Sequence, residues 1–252
     1  MVGAREQEIR VGGTGSALGT LKLLAQAYGA SPAGARLNVL PSLGSSGAIR
    51  ALLGGALQIA VSARQLTPAE VGAGAVAVEC GRTPLVFATA ADNPVNGITT
   101  QELIDVYLGN KTSWSDGSKL RLVLRPSGDS DSDALRALSP AMREALAIAE
   151  QRRGQLVAST DQDAASSIES IPGAVGTSTL ALLLSENRDL KALALDGVVP
   201  TALAVAVGEY PLHRSLYLVT GPATTALALA FVAFVRSAAG AEILHKTGYW
   251  VL

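Results

Sequence analysis

Three short polar turns carry most of the chemistry this chain can offer. Gly13-Thr14-Gly15-Ser16 follows the strand-like Glu8–Val11. Gly44-Ser45-Ser46-Gly47 follows the strand-like Arg36–Leu40. Arg125 through Ser132, reading Arg-Pro-Ser-Gly-Asp-Ser-Asp-Ser, follows the strand-like Leu120–Leu124. Glycines let a backbone turn tightly, and hydroxyls with backbone N–H groups at a helix start donate to negative charge. Arg64 and Arg125 add a guanidinium near the ends of two strands, where open α/β sheets bind ligands. The plainer role for each Ser, Thr or Asp is to cap its own helix.

Other chemistries fit less well. Gly13-x-Gly15-x-x-x-Gly19 departs from the dinucleotide spacing, and no acidic residue lies near Arg36–Leu40 to hold a ribose. The only histidines, His213 and His245, accompany no G-x-S-x-G elbow. There is no phosphate-binding loop of the nucleotide-hydrolase kind. Asp129, Asp131 and Asp133 alternate without the terminal Glu of a calcium loop. No catalytic residue, cofactor or metal is expected. The single cysteine, Cys80, excludes a disulfide framework and reads as a small buried apolar residue.

These turns need elements to hold them. In the first 80 residues strand and helix alternate: Glu8–Val11, a periodic run Leu18, Leu21, Leu24, Tyr28, then Arg36–Leu40, a short helix around Ile49 and Leu52, and Leu57–Ser62. That βαβαβ order implies a parallel sheet with right-handed crossovers. Further on, Leu85–Ala90 reads as a strand. Thr99 with Glu102 forms a capping-box pattern ahead of a helix to about Leu108. A helix is expected from about Ala134, another from Pro140 to about Arg152, and a last one over Thr224–Ser237. The chain reads as a two-lobed α/β protein.

Composition narrows the classes of function. With 48% hydrophobic and 16% charged residues the chain is core-forming rather than disordered. A net charge of −1 leaves no basic surplus for nucleic-acid phosphates. Ser215 to Val235 carries no charge. Gly221-Pro222 splits it into a strand-like and a helix-like half, which argues against a membrane span. The start, Met1 to Glu6, has no apolar core of a signal peptide, and a mature form with the leader removed is expected.

Taken in order, the segments resemble the phosphate-binding proteins of phosphate ABC importers (PstS type). The likeness rests on Gly13-Thr14-Gly15-Ser16, Gly44-Ser45-Ser46-Gly47-Ala48-Ile49 and Ile59-Ala60-Val61-Ser62-Ala63-Arg64. It continues through Asn93-Pro94-Val95, Ile98-Thr99, Tyr107-Leu108-Gly109-Asn110 to Trp114, and Asp196 to Thr201. Tyr210-Pro211-Leu212-x-Arg214-x-Leu216-Tyr217 and the closing Ser237 to Tyr249 complete it. The resemblance implies an α/β type II periplasmic-binding-protein fold with two crossover strands and an interlobe cleft. Lobe I would comprise 1–86 and 207–252, and lobe II 87–206. It further implies a monomer, exported to the periplasm or cell surface, that closes by a hinge on a small anion, phosphate foremost, and delivers it to a membrane permease. Carried over residue by residue, the ligand contacts would be Thr14, Gly15, Ser16, Ser45, Ser46, Gly47, Arg64, Arg125, Ser127, Asp129, Ser130 and Asp131.

The family usually reads Arg-x-x-Gly-Ser-Gly-Thr at the last turn, whereas this chain places Asp129 and Asp131 at the Ser and Thr positions. Where some relatives have a proton-accepting Asp beside the third-strand arginine, this chain has Ala63. A carboxylate about 4 Å from a phosphate oxygen repels it on the kcal/mol scale in a half-buried site. Three outcomes are open: one carboxylate replaces the proton acceptor, Ser130 and Ser132 donate instead, or the ligand differs. A sensory or scaffold role without transport is the alternative function. An enzyme using Asp129 and Asp131 as an acid–base pair is a weaker one.

Overall fold

The computed structural model describes residues 8–32 and 34–252; the chain start read above for a leader lies outside them. Along the chain run β1 (Ile9–Gly13), α1 (Leu18–Gly29), β2 (Leu37–Val39), α2 (Gly44–Leu53), β3 (Ile59–Ser62), α3 (Pro68–Gly72) and β4 (Val76–Ala90). Next come β5 (Gly97–Ile98), α4 (Thr100–Leu108), β6 (Arg121–Leu124), α5 (Ser130–Leu138), α6 (Pro140–Gln151), β7 (Leu156–Val157), α7 (Asp161–Ser170) and β8 (Ala174–Thr179). The last are α8 (Leu180–Ser185), β9 (Leu190–Ala192), β10 (Ala194–Leu195), α9 (Ala202–Ala206), β11 (His213–Thr220), α10 (Ala226–Val235), α11 (Ala238–Lys246) and β12 (Trp250–Val251). The chain divides into two units, Met1–Arg82 with Ser215–Leu252, and Thr83–Arg214.

In the first unit β1 pairs in parallel with β2 and β3, as the βαβαβ order requires. β11 adds antiparallel to β3, with Tyr217 opposite Ser62. All four β3 residues are buried, which suits a sheet covered on both faces. Under α2, Ile49 and Leu52 pack on Leu57, Ala60, Tyr217 and Val219. The α1 periodicity buries Leu21, Leu24 and Tyr28, and Tyr28 sets its ring edge-on to Phe231 at 5.3 Å between centroids.

In the second unit β6 lies parallel to β7 and β8, and β8 runs antiparallel to the later residues of β4. One face buries Leu103, Tyr107, Leu135, Met142 and Leu146 against Leu85, Phe87, Leu124 and Val175. The other buries Ala165, Ile168 and Leu182 against Val86, Ala88 and Val123. The capping box at Thr99 and Glu102 forms, and α4 stops at Gly109 with φ +81°. Pro140 opens α6 under a Ser139 cap.

Three expectations shift and one holds. The strand expected at Leu85 starts at Val76, because Glu79 and Arg82 break the apolar pattern while pairing with each other at 2.8 Å. The helix expected from Ala134 starts at Ser130, because Asp129 caps it. The final helix expected over Thr224–Ser237 ends at Val235, and Ser237 caps a new helix, α11. The uncharged run 215–235 is split between β11 and α10, and among the described residues no helix is long and apolar enough to cross a membrane.

Candidate functional site

The first unit brings two of the polar turns to the carboxyl ends of β1 and β2. Gly13 sits so close to β3 that a Cβ on it would run into the Val61 carbonyl oxygen. That close approach, rather than a ligand, explains this glycine. Thr14 then precedes a 3-10 turn, Gly15–Ala17, which leads into α1. Thr14, Gly15 and Ser16 are all buried, and the Thr14 and Ser16 hydroxyls share a hydrogen bond of 2.9 Å.

Gly44 turns the chain with φ +63°, a left-handed conformation that glycine adopts freely, and opens α2. Ser45 and Ser46 lie in the first turn with Gly47. The Ser45 hydroxyl accepts from the Ala63 N–H at 2.9 Å, and the Ser46 hydroxyl accepts from Arg64 Nη2 at 2.9 Å. Arg64 is gripped by Glu70 through two bonds of 2.9 and 2.8 Å. The Arg64 hydrogen bonds hold the Glu70 carboxyl well below its ordinary range, at about 2. Arg64 thus stands beside Ser46 with its charge balanced by Glu70.

The helix starts differ in one respect. From α3 to α11 every helix is capped by a side chain: Thr67, Thr99, Asp129, Ser139, Thr160, Thr179, Thr201, Thr225 and Ser237 in turn. The 3-10 turn at Thr14, α1 and α2 have no side-chain cap. Helix starts without caps leave backbone N–H groups and the positive end of the dipole for another acceptor.

The second unit builds the third turn at the carboxyl end of β6. Arg125 is 6% exposed and lies just past the strand. Its Nη1 donates to the Ala158 carbonyl at 2.9 Å and its Nη2 to Asp129 Oδ2 at 2.9 Å. Nε has no partner among the described residues. Asp161, at the start of α7, places a carboxylate oxygen 3.8 Å from the same Nη2. Asp129 also accepts the Asp131 N–H at 2.9 Å and so caps α5. Asp131 is buried, and Arg214 donates to its Oδ1 from both Nε and Nη2, at 2.9 and 2.8 Å. Ser127 is exposed and Ser130 half-buried. Ser132 is buried and donates to the Pro126 carbonyl at 3.0 Å.

The charges in this turn therefore satisfy one another. Burial works against the Arg125 cation, but Asp161, Asp129 and Asp131 outweigh it and raise its pKa. Burial, with help from the charge on Asp131, pushes the Asp161 carboxyl up to about 7. Two guanidiniums thus face three acidic side chains in this turn. Burial likewise pushes the Cys80 thiol up to about 11, in keeping with an inert, 2% exposed side chain.

The structure gathers Thr14, Gly15, Ser16, Ser45, Ser46, Gly47 and Arg64 within the first unit, and Arg125, Ser127, Asp129, Ser130 and Asp131 within the second. Sequence reasoning missed Glu70, Asp161 and Arg214 as members of these sites. Thr160 with Asp163 forms a capping box at the start of α7, a signal the sequence offered, but nothing local marks Asp161 as the neighbour of Arg125. Arg214 is 83 residues from the carboxylate it holds.

The described residues thus offer a buried guanidinium at one strand end and two uncapped helix starts at others. A sequence profile of the PBP superfamily domain matches residues 2–239, and the chain belongs to that superfamily. Among characterised relatives it is similar to phosphate-binding protein PstS of Bacillus subtilis, at 31% identity over 164 residues. That match covers 61% of this chain and 50% of the relative, so it spans half of the Bacillus protein. Phosphate-binding protein PstS of Borreliella burgdorferi is 22% identical over 82% of this chain and 76% of its own. Among solved structures, a Clostridium perfringens protein assigned as a phosphate ABC transporter substrate-binding protein, with bound phosphate, superimposes with a TM-score of 0.83. It is 21% identical over 98% of this chain and 100% of its own. An ABC-type phosphate transport receptor from Vibrio cholerae gives 0.66 at 21% identity, over 96% and 98%. At these identities the structures establish the fold: α/β, of the two-lobed binding-protein kind.

Proposed function

We propose that this chain is a solute-binding protein that captures a small oxyanion, phosphate foremost, for an ABC importer. The observation that carries the reading is the pair of uncapped helix starts. In a chain that caps nine helices with side chains, those left open stand at the two hydroxyl-bearing turns of the first unit. An oxyanion there takes backbone N–H groups, the Thr14, Ser16 and Ser46 hydroxyls, and the positive end of the α2 dipole. Arg64 is a positioning residue that holds the Ser46 hydroxyl, and within the second unit Arg125 keeps a buried Nε that suits an oxyanion. The phosphate-binding and ABC-transport names of the relatives support phosphate as the ligand and an ABC transporter as the partner; an exported, monomeric, non-catalytic protein belongs to the same proposal.

The second reading, a binding protein of this fold for another ligand or without transport, is favoured by the self-satisfied charges around Arg125. Titration calorimetry of ligand-free protein with phosphate, sulfate and molybdate decides between them. Phosphate binding below the millimolar range supports the first reading. Absence of binding by all three anions sinks it.

A further inference from the structure

Arg125 keeps one buried donor, Nε, without a partner among the described residues. On the side-on edge of a guanidinium, Nε–H and Nη2–H point the same way and together match two oxygens of a carboxylate or phosphate. Arg214 uses this edge fully, with both donors on Asp131 Oδ1. Arg125 uses half of it: Nη2 is on Asp129 Oδ2 and Nε is buried without a partner among the described residues. The other oxygen of Asp129 accepts the first-turn N–H of Asp131. One carboxylate therefore bridges a helix start and an arginine, the two donors that an oxyanion would take at this turn.

Resting on the oxyanion reading above, we propose that Asp129 is a specificity-determining residue that occupies the anion's place on Arg125. A ligand oxyanion engages both Nε and Nη2 only after the Asp129 carboxylate swings off. The side chain is free to do so, since it is 22% exposed while that of Arg125 is 4% exposed. The competitor is tethered four residues away, so its effective concentration is far above that of a dilute ligand. Charge acts in the same direction. Arg125 and Arg214 are balanced by Asp129 and Asp131, with Asp161 3.8 Å from Arg125 as a further acid, so the turn offers no surplus positive charge to a simple anion. The result is a site at which an oxyanion, phosphate included, binds Arg125 only by displacing a tethered carboxylate, which weakens its binding.

The test compares phosphate titrations of the wild-type chain, Asp129→Ser and Asp129→Asn at pH 7.5 and low salt. Asn keeps the shape and the capping oxygen while removing the charge, which guards against loss of the fold. Both variants are expected to bind phosphate at least tenfold more tightly, and phosphate is expected to raise their Tm more than it raises that of the wild type. Equal or weaker binding by folded variants overturns the proposal and leaves the oxyanion reading standing. No phosphate binding by any of the three overturns both.

Discussion

Arg214→Ala removes one partner of a buried ion pair whose geometry allows the loss to be sized. The Asp131 carboxylate and the Arg214 guanidinium are 4% and 10% exposed, and two bonds of 2.8 and 2.9 Å join them. Hydrogen bonds to charged groups contribute about 1.5–3 kcal/mol each, which gives about 3–6 kcal/mol for the two. Leaving a buried charge unpaired costs about 3–5 kcal/mol by an independent route. The variant should therefore lose about 3–5 kcal/mol, or roughly 6–20 °C in Tm for a chain of this size. Urea unfolding followed by fluorescence is the assay. Trp114 is buried in the second unit, with its indole N–H on the Gly173 carbonyl, and reports that unit. At unchanged slope the midpoint should fall by about 1–2 M. The double variant Asp131→Asn with Arg214→Met removes both charges of the pair and should recover most of the loss. A single-variant loss below about 1 kcal/mol would refute the view that Arg214 neutralises Asp131.

Other outcomes follow from the same geometry. Ser46→Asp puts a carboxylate at the uncapped start of α2, beside Arg64; stability should rise by about 0.3–1 kcal/mol while phosphate affinity falls at least tenfold by calorimetry. Unchanged affinity would remove α2 from the site. Asp161 has a folded-state pKa raised to about 7 from an ordinary value of 3.8, so the folded state binds its proton more tightly. The stability this confers is complete below about pH 4 and is lost as pH rises through about 7. Relative to Asp161→Asn, the wild type should therefore weaken between those pH values in urea titrations, and parallel curves would contradict the assignment. Gly13→Ala should cost about 1–3 kcal/mol or more, because its Cβ meets the Val61 carbonyl, and thermal melts should show it.

Much of the first unit was legible because its signals are local. The order of strands and helices, the two hydroxyl turns and their place after strands depend on residues within a few positions of each other. The second unit was legible where it uses caps and prolines, as at Thr99, Glu102 and Pro140. The roles of its aspartates were not. Asp129 and Asp131 look alike in sequence, two residues apart in one polar turn. In the fold one caps α5 and leans on Arg125, while the other is buried against Arg214. The alternation that invites a single explanation dissolves, because successive positions at a helix start face different surroundings.

By itself, the sequence determined a parallel α/β framework, polar turns at strand ends, and a chemistry of hydroxyls, backbone N–H groups and arginines. Those follow from periodicity, capping preferences and composition, which act over short stretches. Only the tertiary structure decided which charges meet: Glu70 on Arg64, Asp129 and Asp161 on Arg125, Asp131 on Arg214. For Asp161 and Arg214 that pairing depends on elements from distant parts of the chain ending side by side. It depends also on burial, which makes an unpaired charge too costly to leave and so fixes each partner once the core has formed.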